Sequence, residues 1–596
     1  MRTVDGVFLL RDASSILLKP ARDPLLVGAA KGLRKLVRVR PDRCGVITLQ
    51  RDPRGHGDQS YSLKIRSDRI HLQASGEAGF RYGLLTLTQL IRANRPGIQA
   101  MDIEDWPDFP VRGVMLDISR DKVPTLGTLK RLIEMLAGWK INQLQLYMEH
   151  TFAYTGHEEV WRGASPLTGS QARELDRLCH GHGIELVPNQ NSFGHMERWL
   201  KHRRYARLAE CTGPWKTPWG EVRRKPSTLN PLHRDSARLV SSLYDQLLPN
   251  FSSKRLNVGC DEPWEIGQGR SRGACERQGA GRVYFDYLMK IRRAAGRHGS
   301  RILCWSDWIF KYPDLIQELP DDVTPLVWGY EADHPFDRQC ARLRSQDLNY
   351  YVCPGTSSWC SFGGRTRNCL ANLRNAAMQG RRHRAEGYLI TDWGDYGHRQ
   401  YLPVSYAGFL YGAALAWCAK TNVNLDVASE LSRHVFEDPT GISGQVWLDA
   451  GRVPDLSGVV LNNRSLLFAC MQASLGDVSS VEGLAAGKAE RMAKRIAELK
   501  SAVSKARFGG VDRGLVKEEL RVTLAVMNHA CQRAQYNVAG RTGGPMRISV
   551  RRLEADLERL TERHRAVWLA RNRRGGLASS VGYYERNLKE YQALTR

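Results

Sequence analysis

Between residues 113 and 391, short apolar runs alternate with longer amphipathic stretches. The runs are Gly113–Ile118, Leu144–Met148, Ile184–Pro188, Arg255–Cys260, Ile302–Ser306, Pro325–Gly329, Tyr350–Cys353 and Tyr388–Thr391. Between most of them apolar residues recur at helical spacing, as in Leu126–Trp139, Gln171–His180, Ser236–Leu248 and Val283–Arg297. Runs this short read as strands and the longer stretches as helices. Eight strand–helix repeats in about 300 residues predict an α/β chain built on a (β/α)8 TIM barrel, with a doubly wound open sheet as the alternative.

The pattern differs on either side. Upstream, Tyr61-Ser-Leu-Lys-Ile-Arg and Arg69-Ile-His-Leu-Gln-Ala alternate apolar and polar residues, as half-buried strands do. A helix is expected from about Ala78 to Ile91, with Leu84, Leu87 and Gln89-Leu90-Ile91 on its apolar side. Pro107 and Pro110 punctuate the exit. Downstream of about residue 425 strand signals are few. The stretch Gly487–Lys505 is charged and helical, with Met492, Ile496, Leu499 and Val503 in register. The expected domains are a small α+β unit over 1–105, the barrel over 106–424 and an all-helical segment over 425–596 that packs on the barrel or makes an oligomer contact.

The length of 596 residues fits two to four domains, and 42% hydrophobic residues with 15 Trp supply a large core. The net charge of +26 is mostly Arg spread along the whole chain. A basic surface attracts polyanions, but no dense basic block or nucleic-acid motif occurs, so no nucleic-acid partner is expected. Thirteen cysteines, an odd number without CxxC pairs, argue against a disulfide framework and a zinc ribbon. The run Val7–Leu10 is too short for a signal-peptide core, and no stretch approaches the roughly 18 apolar residues of a membrane span. The expected location is a reducing cytoplasm, without a membrane partner.

In a barrel of this kind the chemistry sits just after each strand. Strand four is followed by Cys260-Asp261-Glu262-Pro263-Trp264, strand five by Trp305-Ser306-Asp307, strand six by Trp328-Gly329-Tyr330-Glu331 and strand eight by Asp392-Trp393-Gly394-Asp395. Strand one carries Arg112 and Asp117, and strand two ends in Glu149-His150. Carboxylates handle protons and hydroxyls, and indoles stack on the apolar faces of pyranose rings. Their repetition on one rim points to a carbohydrate site.

Four segments make this specific. Arg255-Leu-Asn-Val-Gly-Cys-Asp261-Glu262 resembles the strand-plus-Asp-Glu signature of family-20 β-N-acetylhexosaminidases. Arg112-Gly-Val-Met-Leu-Asp117-Ile-Ser-Arg120 is similar to that family's first barrel strand, and Glu185-Leu-Val-Pro-Asn-Gln-Asn-Ser-Phe-Gly194-His195 to its third strand. Gly79-Phe-Arg-Tyr-Gly-Leu-Leu-Thr-Leu-Thr-Gln-Leu90 resembles the helix of the small domain before the barrel. The match runs in order over about residues 60 to 420. The C-terminal helices resemble those of shorter, bacterial-type members.

The resemblance implies a retaining exo-acting hydrolase of terminal GlcNAc or GalNAc that uses the substrate's own acetamide as nucleophile, with no metal or organic cofactor. An ordinary retaining glycosidase needs two carboxyls about 5 Å apart across the scissile bond. Asp261 and Glu262, as sequence neighbours, are poorly placed for that. Glu262 is therefore the expected acid/base and Asp261 the group that steers the acetamide, with mutual repulsion raising one pKa. By resemblance Arg112 binds O3 and O4, Trp305, Trp328 and Trp393 wall the pocket, and Asp395 holds O4 and O6. His195 bonds near the acid, oriented by Glu149, and Tyr351 donates to the acetamide oxygen. Tyr351-Val352-Cys353 lacks the family's usual Asp, and Glu149-His150 replaces its usual carboxylate pair. These departures leave open a same-fold glycosidase for another sugar, sulfated or non-acetamido, or a glycan-binding protein without catalysis. The partner implied is an oligosaccharide or glycoconjugate, with a homodimer contact as a further option. Gly267–Gly273 has the wrong spacing for a phosphate loop, and His180-Gly-His182 reads as a helix end.

Overall fold

In the computed structural model, which describes residues 1–9, 15–19, 38–39, 47–52, 55–94 and 97–596, the eight apolar runs are eight parallel strands. They are β1 (Val111–Asp117), β2 (Gln143–Met148), β3 (Glu185–Gln190), β4 (Arg255–Asn257), β5 (Arg301–Trp305), β6 (Val323–Trp328), β7 (Tyr351–Cys353) and β8 (Gly387–Asp392). Each pairs with the next and β8 pairs with β1, closing the barrel. The open-sheet alternative is thereby excluded.

Strands enclosed on both faces read as continuous buried runs. In β2 all six residues are buried, including Gln143 and Gln145. Their amides are satisfied inside the barrel. Gln145 Nε2 donates to Gln143 Oε1 at 3.0 Å, while Gln145 Oε1 accepts from Asn189 Nδ2 at 3.0 Å and Asn257 Nδ2 at 2.9 Å. Buried amides that find partners cost little, so β2, β3 and β4 share a polar interior layer. The returning helices lie where their periodicity places them. Leu126–Gly138 buries Leu129, Leu132, Ile133 and Leu136, and its cap Thr125 accepts from Thr128 N.

A separate compact unit comprises Met1–Pro110 with Ala416–Cys418. Its sheet orders Arg2–Leu9, Gly97–Asp105, Tyr61–Ile65, Ile70–Ala74, Ile47–Arg51, Ser15–Lys19 and Arg38–Val39. The two strands expected from alternation pair antiparallel, from Tyr61↔Ala74 to Ile65↔Ile70. The helix runs Glu77–Asn94, with Leu84, Leu87 and Ile91 buried. A Cβ on Gly83 would stand 2.4 Å from Leu72 Cδ1, so only glycine lets the helix lie this close to the sheet.

The barrel and the C-terminal helices form one compact unit, Val111–Leu415 with Ala419–Arg596. Helix Ala486–Lys505 buries Met492, Ile496, Leu499 and Val503 as expected. Helix Val550–Arg571 docks on the barrel: the Arg571 carbonyl accepts from Thr125 N and from Thr128 Oγ1, both at 2.8 Å. A buried Arg571–Glu519 ion pair at 2.6 Å ties it to helix Arg513–Thr542. Of the two options for this segment, packing on the barrel is realised. One stretch, Leu402–Asn422, is long and apolar enough to cross a membrane, contrary to the sequence expectation, but 78% of its apolar window is buried inside the protein. His182 caps the C-terminus of helix Gly169–Gly181, as expected of a helix end.

Candidate active site

A cavity of about 450 Å³ opens where the barrel strands end. Strand polarity explains why. Groups that follow β1, β2, β4, β5, β6 and β8 converge on one rim, and the loops after β3 and β7 complete it. Asp261, Glu262, Glu149, His195, Trp305, Trp328, Trp393 and Asp395 all line this cavity.

At its centre stand three groups. His195 Nε2 lies 3.1 Å from Asp261 Oδ2 and 3.4 Å from Glu262 Oε2. Asp261 Oδ1 accepts from Asn191 Nδ2 at 2.9 Å, so both of its oxygens are bonded. Burial would raise the Asp261 pKa, but the His195 charge and bond, with Arg120 and Asn191, hold it below the usual carboxylate value. Burial likewise opposes the His195 imidazolium, and Asp261 and Glu262 together overcome it, holding its pKa well above 6.5. The Glu262 carboxyl is the more open of the two, 26% exposed against 9% for Asp261. Cys260 and Glu262 have φ of 64° and 50°. This left-handed backbone is unusual for such residues and turns the loop tightly at the strand end, so that neighbouring carboxyls can do different work.

A third residue, Asp307, stands beside the pair. Burial and the charges of Asp261 and Glu262 raise its pKa well above the usual value. Its Oδ2 accepts from Glu262 N at 3.1 Å and so fixes the turn.

Three assignments are corrected. Arg112 is the second residue of β1 and sits at the opposite end of the barrel, where its Nε donates to the Lys140 carbonyl at 2.8 Å. The cavity arginine that meets the carboxylates of the barrel rim is Arg120, three residues past the strand end, and Arg198 and Arg223 line the cavity further out. The Arg120 guanidinium meets Asp117 at 3.3 Å, Asp395 at 3.3 Å and Glu149 at 3.7 Å, and lies 4.8 Å over the Trp393 ring. Tyr351 likewise opens β7 and is fully buried, facing Arg255 and Glu386 rather than the cavity. The tyrosines that line the cavity are Tyr330, Tyr396 and Tyr583, and the Tyr330 hydroxyl accepts from Trp393 Nε1 at 2.8 Å. Glu149 does not orient His195 directly. Its carboxylate accepts from Tyr147 OH at 3.0 Å, while His195 Nδ1 faces Arg120 Nη2 at 3.3 Å.

The indoles form a continuous wall. Trp305 and Trp393 have ring centroids 5.8 Å apart, Trp328 stacks on Tyr330 at 5.3 Å, and Trp359 meets Tyr330 edge-on at 5.0 Å. Asn463 and Tyr583 reach the cavity from the C-terminal helical region. Asn463 is held there by Trp359 Nε1 at 3.0 Å and by its own N–H on Glu331 Oε1 at 2.8 Å.

Ligand atoms of His195, Asp261 and Glu262 lie within 4.8 Å of one another, which by distance alone suits a cation. The raised His195 pKa keeps a proton on the nitrogen between the carboxylates, and the Arg120 guanidinium stands against the other nitrogen. A metal would have to displace that proton beside a fixed positive charge, so the set fits a protonated histidine better than a metal ion.

The pair has a pH signature. The raised His195 pKa gives stability that is complete below about pH 6.5 and is lost as pH rises through the folded-state value. The lowered Asp261 pKa gives stability present above about pH 3.8 and lost on acidification. Thermal melts should therefore show wild type losing more stability than His195→Gln between about pH 6.5 and pH 9. Parallel curves would remove the charged pair.

Comparison with known proteins places this geometry. Residues 109–369 match the sequence profile described as glycosyl hydrolase family 20, catalytic domain, and residues 5–106 match glycosyl hydrolase family 20, domain 2. The chain is 26% identical to human hexosaminidase D over 313 residues, 49% of this chain and 61% of that protein. It is 26% identical to a β-hexosaminidase of Akkermansia muciniphila over 274 residues, 42% of this chain and 52% of that one. The chain thus spans about three-fifths of the human relative's length. Among solved structures, an exo β-N-acetylglucosaminidase from Vibrio harveyi superposes with a TM-score of 0.58 at 16% identity, covering 74% of this chain and 76% of that one. A Flavobacterium johnsoniae chitobiase does so at 0.55 and 14%, covering 94% of each. With the two profiles matched in order over more than half its length, the chain belongs to glycosyl hydrolase family 20.

Proposed function

We propose that the protein is a retaining exo-β-N-acetylhexosaminidase that releases terminal GlcNAc or GalNAc from oligosaccharides by substrate-assisted catalysis. The observation that carries this reading is the unequal pair at the end of β4. Asp261 is ionised and bonded at both oxygens, whereas Glu262 is open to the cavity. A bonded anion is a poor proton donor and a good fixed acceptor.

Glu262 protonates the glycosidic oxygen as the acetamide carbonyl oxygen attacks C1 and the C1–O bond breaks. Asp261 accepts the acetamide N–H and stabilises the oxazolinium cation. Glu262 then takes a proton from water, which attacks C1 from the face the aglycone left, so the configuration is retained. The Tyr330 hydroxyl accepts from Trp393, which leaves its proton for the acetamide oxygen. Arg120 and Asp395 lie together at the cavity wall, where they suit the hydroxyls of a terminal sugar and support exo action.

Aryl β-N-acetylglucosaminide should turn over while the aryl β-glucoside is slower by at least about 10³-fold, because the glucoside lacks the intramolecular nucleophile. EDTA should leave the rate unchanged. Comparable rates on the two glycosides would end this reading.

A further inference from the structure

Part of the cavity wall is assembled from four separate segments. The loop after β7 supplies Trp359, the loop after β8 supplies Asp395, Tyr396 and Gly397, the turn before helix Leu466–Gln472 supplies Asn463, and helix Leu577–Thr595 supplies Tyr583. One backbone bond joins the first and third, from Ser465 N to the Cys360 carbonyl at 3.0 Å. The β8 loop is strained. Tyr396, Gly397 and His398 take successive φ values of 55°, 85° and 46°. Left-handed backbone is costly for residues with a side chain and persists only where the surroundings hold it.

Arg399 follows this strained turn and is buried. Its Nε, Nη1 and Nη2 have no hydrogen-bond partner, and no carboxylate pairs with them among the described residues. Burial pulls its pKa below the usual arginine value. Rings surround it instead. The guanidinium carbon lies 4.3 Å from the Phe468 centroid, 4.8 Å from Tyr583, 5.3 Å from Phe362 and 5.7 Å from Tyr584. All four distances are within reach of cation–π attraction.

This aromatic box and the cavity wall share their segments. Phe362 stands three residues past Trp359, Arg399 four past Asp395 and Phe468 five past Asn463, while Tyr583 belongs to both. The Tyr396 ring also meets Phe468, with centroids 6.4 Å apart. A Cβ on Gly397 would stand 2.6 Å from the Tyr583 ring, so only glycine lets the β8 loop lie against this helix. An apolar side chain could fill the place of Arg399 without the cost of burying an unpaired charge. What the guanidinium adds is attraction to ring faces on several sides at once.

We infer that Arg399 is a positioning residue for the sugar site: its charge draws four aromatic rings together and thereby holds Asp395, Asn463 and Tyr583 in the cavity wall. The C-terminal helices thus take part in substrate binding. The inference rests on the hexosaminidase reading for the ligand of that wall, and on the box alone for its rigidity.

Full-length Arg399→Met, Arg399→Lys and Phe468→Leu proteins test it. Phe468 faces the box and does not line the cavity. On an aryl β-N-acetylglucosaminide, Arg399→Met should raise KM about tenfold and leave kcat within about threefold, because Asp261 and Glu262 stand on the β4 loop, which gives no ring to the box. Its melting temperature should not fall below that of wild type, since no unpaired charge is left to bury. Arg399→Lys keeps a cation without the plane and should recover part of the loss, and Phe468→Leu should raise KM in the same direction. Hydrogen exchange gives a readout that needs no substrate. In Arg399→Met the Asn463 amide, which bonds Glu331, and the amides of Tyr396–His398 should exchange at least about tenfold faster, with the β4 loop unchanged. Unchanged KM and exchange overturn the inference, as does a lowered melting temperature with KM unchanged, the mark of a cation that only stabilises. Arg399→Lys no better than Arg399→Met assigns the effect to volume and removes the role of charge. A wild-type protein that leaves the aryl glycoside intact strikes the hexosaminidase reading, and exchange then decides the box by itself.

Discussion

Glu262→Gln lowers kcat on an aryl β-N-acetylglucosaminide by about 10²–10⁴-fold, the usual worth of a positioned acid/base. The substitution keeps the shape of the side chain and removes only its proton chemistry. It does not disturb the anchors of the loop, because Asp307 bonds the backbone N–H of residue 262, not its carboxyl. The His195 contact at 3.4 Å can be kept by the amide oxygen. Loss of rate without loss of melting temperature is therefore expected. The size of the loss should depend on the leaving group. A dinitrophenolate departs with little help from an acid, so the first step should be nearly normal and the intermediate should accumulate, because water still lacks its base. A burst of dinitrophenol followed by slow turnover would report both roles of one residue. A variant within about threefold of wild type on every substrate would transfer the role to another group.

Much of the barrel is legible in the sequence because its strands are enclosed on both sides. Burial forces continuous apolar runs, and eight such runs separated by 3.6-period stretches leave few architectures. The same logic locates Asp261, Glu262, Trp393 and Asp395, which all follow a strand end. It also shows why Arg112 and Tyr351 fail. Both stand at the start of their strands, and five strand steps separate Arg112 from Asp117, about 17 Å at the usual rise. A side chain at the start of a barrel strand cannot reach the rim where the chemistry is. Arg120 ends the same sequence segment that contains Arg112, so the signal was present and polarity was the means of choosing. Tyr330 follows β6 by two residues and could have been chosen in the same way.

Other features had no local signal. Trp219 lines the cavity from the tip of a hairpin whose conformation is set by Glu265 and Gln268, more than forty residues downstream. Asn463 comes from a turn between helices and Tyr583 from helix Leu577–Thr595, whose own periodicity records packing and says nothing about a cavity in the barrel. The raised pKa of Asp307 likewise depends on Asp261 and Glu262 being brought beside it by the barrel. Pairings across long sequence separations are fixed by the tertiary fold, and a single sequence does not display them.

Arg120→Lys is expected to lower kcat/KM by at least about 10²-fold, equivalent to about 2.7 kcal/mol of lost transition-state binding. The reason is geometric. One planar fork meets Asp117, Glu149 and Asp395, stacks over Trp393 and faces His195 Nδ1. An ammonium keeps the charge but is a point donor on a flexible stem and cannot hold these groups in one plane. Asp117 and Glu149 are buried, and burial already raises their pKa against the opposing pull of Arg120. With that pull weakened they should take up protons at higher pH, and Asp395 should lose its fixed orientation toward the sugar hydroxyls. The acidic limb of the activity profile should move upward, a change that a merely loosened fold would not produce. Arg112→Lys is the matching control at the far end of the barrel. It disturbs the bond to the Lys140 carbonyl and should lower the melting temperature, yet leave kcat/KM within a fewfold of wild type. The reverse outcome, activity lost at Arg112 and kept at Arg120, would contradict the polarity of the barrel and with it the location of the site.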